Sequence, residues 1–127
     1  MGGHKAKVLI IEDDKFLSEL ISTKLDKEGF DIALAGDGEA GYKKIEQFKP
    51  DIVLLDIMLP GMDGFEVLEK LKKHTDENLK ATPVIILSNF GQESKIERGL
   101  KLGAVDYLVK ANFTTGEIVD KIKKVLG

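Results

Sequence analysis

Apolar residues in this chain follow two spacings, and the two alternate from end to end. Lys7-Val8-Leu9-Ile10-Ile11, Asp51-Ile52-Val53-Leu54-Leu55 and Pro83-Val84-Ile85-Ile86-Leu87-Ser88 are nearly unbroken apolar runs. Such runs predict strands buried on both faces, the mark of a parallel sheet. Pro83 stands at the start of its strand, where a missing donor does least harm. Phe30-Asp31-Ile32-Ala33-Leu34-Ala35 and Val105-Asp106-Tyr107-Leu108-Val109-Lys110 alternate apolar with polar positions, which predicts edge strands. Between the strands the spacing is helical. Phe16, Leu17, Leu20, Ile21 and Leu25 form one helical set, closed by Gly29. A short helix is expected over 39–48 with Ile45 and Phe48 inward, and another through Phe65, Leu68 and Leu71 to about His74. A weaker one covers 92–102, where Gly99 lowers intrinsic stability. The last helix carries Ile118, Val119, Ile122, Val125 and Leu126 on one face. Residues 75–82 are polar and read as the most mobile connection.

Five β-then-α units joined by right-handed crossovers make an α/β, doubly wound (βα)5 sandwich around a parallel five-stranded sheet. The two alternating strands belong outside and the three apolar ones inside, which favours the flavodoxin-like order 2-1-3-4-5. Its switch point falls between the first and third strands. The whole chain, 1–127, reads as one domain, with 1–5 a flexible tail and a turn at Gly36-Asp37-Gly38.

Composition narrows the field. A net charge of −3 favours neither nucleic acid nor an anionic membrane. The absence of cysteine removes disulfides, thiolate metal sites and cysteine nucleophiles, and fits a reducing, cytoplasmic setting. No apolar run approaches the roughly 20 residues of a membrane helix, and the N-terminus lacks a signal core. His4 and His74 carry no partner pattern and are expected to be exposed. The Lys121–Lys124 segment reads as a solvated face that complements the dipole of the last helix.

The chemistry gathers at strand ends. In open α/β sheets ligands bind beyond the carboxyl ends of the strands. The first strand ends in Glu12-Asp13-Asp14 and the third in Asp56. With those strands adjacent, Glu12, Asp13 and Asp56 converge, and clustered carboxylates call for a cation. Few hard oxygen ligands with room for water suit Mg²⁺. Ser88 ends the fourth strand and Lys110 the fifth, adding a hydroxyl and an ammonium. Together these make a pocket for a phosphoryl group, with Asp56 as nucleophile. Taken singly, each residue has an ordinary reading: Asp14 as a loop acid or a helix N-cap, Ser88 as a turn residue, Lys110 as surface charge and Tyr107 as packing. Only the set points to chemistry.

Four segments carry a resemblance over nearly the whole chain: Val8-Leu9-Ile10-Ile11-Glu12-Asp13-Asp14; Asp51-Ile52-Val53-Leu54-Leu55-Asp56-Ile57-Met58-Leu59-Pro60-Gly61-Met62-Asp63-Gly64; Val84-Ile85-Ile86-Leu87-Ser88; and Gly103-Ala104-Val105-Asp106-Tyr107-Leu108-Val109-Lys110. The chain resembles the receiver domain of two-component response regulators, chemotaxis regulators included. The resemblance implies that Asp56 takes a phosphoryl group from a sensor histidine kinase or phosphotransfer protein. It implies Mg²⁺ held by Asp13, Asp56 and the backbone carbonyl of Met58, with Glu12 acting through a water. Ser88 would close on the phosphoryl group, Lys110 would contact one of its oxygens, and Tyr107 would swing inward as Ser88 moves. The face made by the helix before the fifth strand, that strand and the last helix would change its preference for a downstream protein or output domain. Such a chain catalyses only its own phosphorylation and dephosphorylation, contacts no nucleic acid or membrane directly, and is a monomer or a phosphorylation-dependent dimer. It would act alone or as part of a longer regulator, since no output domain follows Gly127 in this sequence.

Two positions depart from the family pattern. Ala111 stands where relatives carry proline, often after a cis bond; a cis bond here would cost about 3 kcal/mol. The Lys110–Ala111 bond is therefore trans with a rearranged loop, or cis under strain. Asn89 follows Ser88 where many relatives have a small residue, which implies an altered phosphoryl lifetime. Other classes fit less well. A haloacid-dehalogenase-type phosphatase wants a second Asp where Met58 stands, a flavodoxin wants a phosphate loop where Glu12-Asp13-Asp14 would repel phosphate, and a degenerate docking module would not need the intact Asp13, Asp56, Ser88 and Lys110.

Overall fold

The computed structural model describes residues 5–127. His4 and most of the expected tail lie outside the described residues. Five strands, β1 (Lys7–Ile11), β2 (Asp31–Ala35), β3 (Ile52–Leu55), β4 (Val84–Ser88) and β5 (Asp106–Val109), form one parallel sheet of order β2-β1-β3-β4-β5. The three uninterrupted apolar runs are the three central strands, as their pattern requires, and the two alternating runs are the edges.

Side-chain alternation along each strand divides the core in two. Leu9, Ile11, Val53, Leu55 and Ile86 point to one face, packed under α2 (Gly38–Phe48), α3 (Gly64–Lys72) and α5 (Glu93–Lys101). Val8, Ile10, Ile52, Leu54, Ile85 and Leu87 point to the other, under α1 (Lys15–Lys27) and α6 (Thr115–Leu126). Almost all of these side chains are fully buried, each contributing about 1.5–3 kcal/mol relative to exposure.

Local sequence sets the helix boundaries. Asp14 caps α1, accepting a hydrogen bond from Leu17 N at 3.1 Å, so its bland reading as a cap is the correct one. Asp63 opens α3 and Thr114 opens α6 with reciprocal capping boxes to Glu66 and Glu117. Lys123 ties the end of α6 to Glu28 at 3.1 Å.

Three expectations need correction. Residues 75–82, read as a polar connection, include a short helix that their pattern does not predict. Asp76 caps a one-turn helix, α4 (Glu77–Lys80), Leu79 is buried, and Lys72 Nζ donates to the Lys80 and Thr82 carbonyls, each at 3.2 Å. His74 is half-buried rather than exposed. Its Nε2 lies 3.0 Å from Glu46 Oε2, and its Nδ1 accepts from Asp76 N at 2.9 Å. Phe16, placed by spacing in one helical set with Leu17, Leu20, Ile21 and Leu25, is 73% exposed, and of that set Ile21 and Leu25 are the buried members. Among the described residues no helix is long and apolar enough to cross a membrane.

Candidate functional site

Strand register brings the singled-out residues to one edge. Ile11 pairs with Leu55, so the residues that follow, Glu12 and Asp56, leave neighbouring central strands side by side. Ser88 pairs with Val109, which places Lys110 just past the end of β4. Carboxylate oxygens of Glu12, Asp13 and Asp56 lie within 4.8 Å of one another. Glu12 and Asp56 are buried, whereas Asp13 stands exposed at the mouth. Lys110 Nζ reaches between the two buried acids, 2.8 Å from Glu12 Oε1 and 3.3 Å from Asp56 Oδ2. The remaining oxygens use backbone donors: Asp14 N donates to Glu12 Oε2 at 3.1 Å, and Met58 N donates to Asp56 Oδ1 at 3.3 Å.

Lys110 Nζ pairs with Glu12 Oε1 at 2.8 Å, and that buried oxygen has no second polar partner. Burial pushes the Glu12 carboxyl up to about 7; the Lys110 ammonium opposes the shift and neighbouring Asp56 adds to it. Burial alone would lower the Lys110 ammonium, but its pairing with Glu12 and Asp56 more than offsets this and the net direction is upward. The pocket therefore holds more negative charge than one lysine satisfies. Three carboxylates within 4.8 Å of one another that share a single ammonium are a donor set that fits a hard divalent cation such as Mg²⁺.

Ser88 is fully buried at the end of β4, and its Oγ accepts from Phe90 N at 3.0 Å. The Lys110–Ala111 bond is trans, since no cis peptide occurs among the described residues. The chain after β5 turns through a short 3-10 segment, Lys110–Asn112, and this is how the loop accommodates Ala111. Tyr107 is already inward: it is 8% exposed, and its hydroxyl donates to the Phe90 carbonyl at 2.8 Å. The edge position of β5 suggested less cover, which α5 supplies. Gly99 of α5 lies so near the sheet that a Cβ there would sit 3.2 Å from Tyr107 Cδ2. Met58 is 60% exposed, its backbone turned to Asp56 and its side chain to solvent.

Two glycines that the sequence marks only as turn and loop residues, Gly38 and Gly64, hold the loop that follows Asp56. A Cβ on Gly64 would overlap the Asp56 carbonyl oxygen and lie 2.7 Å from Ile57 Cα. A Cβ on Gly38 would overlap the Met62 carbonyl oxygen and lie 2.8 Å from Met62 Cβ. Neither glycine has a positive φ; each is needed because backbone passes where a side chain would be. The paired turn signals around 36–38 and 61–64 mark glycine-rich turns, but the close approach between them arises only on folding.

Comparison with known proteins places this arrangement. Residues 8–123 match the family model of the response regulator receiver domain. Among solved structures, the chemotaxis protein CheY4 of Vibrio cholerae is 26% identical with a TM-score of 0.86, covering 96% of this chain and 99% of that one. The receiver domain of Francisella response regulator 1452 is 33% identical with a TM-score of 0.85, covering 96% and 97%. The BeF3-activated N-terminal receiver domain of RstA from Klebsiella pneumoniae is 29% identical with a TM-score of 0.82, covering 94% and 97%.

Proposed function

The chain belongs to the response regulator receiver family, and on that premise we propose that Asp56 accepts a phosphoryl group from a histidine kinase or phosphotransfer protein. One observation carries the reading: three carboxylates lie within 4.8 Å of one another, with a single ammonium on the two that are buried. Asp56 is the nucleophile, being the buried acid anchored by Met58 N through one oxygen and by Lys110 through the other. Asp13, Asp56 and the Met58 carbonyl would hold Mg²⁺, with Glu12 in the outer layer. When bound, the ion supplies positive charge to the phosphoryl oxygens and lowers the repulsion met by an incoming anion.

Lys110 then has two duties. In the resting pocket it neutralises Glu12 and Asp56; with a phosphoryl group on Asp56 it pairs with a phosphoryl oxygen. Ser88 gives up its acceptor contact with Phe90 N and donates its hydroxyl to the same group. That exchange would be felt at Phe90, whose carbonyl holds Tyr107. The face of α5, β5 and α6 would thereby change its affinity for a downstream protein or output domain. The activity is confined to the chain's own phosphorylation and dephosphorylation, in a cytoplasmic setting.

The test adds beryllofluoride or acetyl phosphate with Mg²⁺ to the parent and to Asp56→Asn. Intact mass and backbone NMR are followed. The expected result is a Mg²⁺-dependent change in the parent that is lost in the variant. A parent that does not respond over a wide ligand range leaves only a docking module.

A further inference from the structure

The end of α3 carries a histidine that joins three segments. The His74 side chain is 16% exposed. Its Nδ1 accepts from Asp76 N at 2.9 Å, and its Nε2 lies 3.0 Å from Glu46 Oε2 on α2. A backbone N–H can only donate, so Nδ1 is bare and the ring proton sits on Nε2, aimed at the Glu46 carboxylate. This is the geometry of the neutral ring. Asp76 is in turn the N-cap of α4: its Oδ1 accepts from Asn78 N at 2.9 Å and from Leu79 N at 3.4 Å. Lys72 Nζ holds the far end of the same turn through the Lys80 and Thr82 carbonyls. Leu79 is the one buried side chain of α4, so the turn depends on these two contacts from the end of α3. The other groups around the imidazole come from each element packed on it. α2 adds Tyr42, whose ring centre is 6.3 Å from that of His74; burial, with Glu46 adding to it, holds its phenol above the ordinary range, so it stays neutral. α3 adds Lys70, whose Nζ lies 4.5 Å from the Tyr42 ring centre.

We propose that His74 is a pH-operated latch on residues 75–82: adding a proton to Nδ1 releases Asp76 N and frees the α4 turn while the sheet stays intact. Histidine is the side chain whose ordinary titration falls between about pH 5 and 8. A proton on Nδ1 sets one donor against another across 2.9 Å, and that contact cannot persist. The other side of the ring responds in the opposite sense. Nε2 keeps its proton, and the new charge strengthens its pairing with Glu46. The imidazolium is thus retained on α2 as it lets go of Asp76, so acid opens one side of the ring rather than ejecting it. Asp76 N then turns to water, and the cap of α4 loses the contact that positions it. Residues 75–82 lead into the first residue of β4, at the sheet edge opposite to that of Glu12, Asp13 and Asp56. The latch therefore works apart from the phosphoryl chemistry proposed above, and its test is independent of that reading.

The experiment follows native-state amide exchange by NMR at about pH 5 and about pH 7.5, each rate taken relative to its intrinsic value at that pH. Ring nitrogen shifts report the protonation of His74 itself. In the parent, protection of the Asp76 and Leu79 amides is expected to fall roughly three- to tenfold at the lower pH, while buried Ile10 in β1 keeps its protection. His74→Asn retains a side-chain oxygen that can accept from the backbone two residues on and cannot titrate; its protection at Asp76 and Leu79 is expected to be equal at both pH values. Glu46→Gln removes the carboxylate that holds the imidazolium and is expected to move the change to lower pH. Parent protection that ignores pH while the ring gains its proton, a ring that gains none at the lower pH, or the same fall in His74→Asn would overturn the proposal. So would a fall shared equally by Ile10, which marks global unfolding instead of a released turn.

Discussion

Replacing Gly64 with alanine tests how tightly the fold holds Asp56, the proposed acceptor. The new Cβ would overlap the Asp56 carbonyl oxygen and stand 2.7 Å from Ile57 Cα, whereas carbon atoms pack at about 3.5–4.0 Å. The obstructing atoms are backbone, so no rotamer change relieves the overlap. The start of α3 and the end of β3 must separate by roughly 1 Å. Overpacking of this kind costs about 1–3 kcal/mol, which for a domain of this size lowers Tm by roughly 3–15 °C. Because the clash falls on the acceptor's own peptide, its carboxylate moves too, and a 1 Å misplacement can cost about 100-fold in rate. Urea unfolding and the rate of adduct formation with phosphoramidate should therefore both change, the latter by at least tenfold. Ile118→Val serves as the control. It lies buried on the opposite face of the sheet, should lose about 0.5–1.5 kcal/mol, and should keep the parent rate. A Gly64→Ala protein of parent stability, or a destabilised one that reacts at the parent rate, refutes the reasoning.

Other variants probe the charge and the hydroxyl contacts. Since burial raises the Glu12 pKa to about 7, its native state favours the proton. Its contribution to stability is complete below pH 4.5 and is lost as pH rises through 7. In EDTA, the parent should lose up to roughly 2–3 kcal/mol relative to Glu12→Gln between pH 4.5 and 8; a parent–variant difference that ignores pH contradicts this. Tyr107→Phe removes the 2.8 Å hydrogen bond to the Phe90 carbonyl and should cost about 0.5–1.5 kcal/mol in urea unfolding; parent-like stability would show that the hydroxyl gains nothing there. Asn89→Ala should change the lifetime of the phosphorylated state, measured as loss of the adduct with time, and identical decay rates would reject a role for Asn89.

Strand identity and order could be read from the sequence because burial on two faces and burial on one leave different patterns. The candidate site was legible for the same reason: Glu12, Asp13, Asp56, Ser88 and Lys110 each stand at the end of a recognisable strand. What escaped depends on contacts between distant segments. Residues 77–80 carry a single buried apolar side chain, Leu79, too little for any periodicity. His74 is held by Glu46 from α2 and by Asp76 from the next turn of chain, a pairing that spacing does not reveal. On α1, adjacent Phe16 and Leu17 each fit a helical stripe, and only the packed sheet decides which faces inward. The depth of Tyr107 is set by how closely α5 approaches through Gly99, and the roles of Gly38 and Gly64 by loops that meet only after folding.

The sheet order has one more consequence. β1 and β3, which carry the acids, are each bonded to a strand on either side, while β5, which carries Lys110, is bonded on one side only. The site thus has a fixed pole and a compliant pole. A charge arriving at Asp56 finds its carboxylates already set in the middle of the sheet. On the proposed function, whatever yields to it would do so at the margin, where the least backbone must be disturbed and a neighbouring molecule would feel the movement.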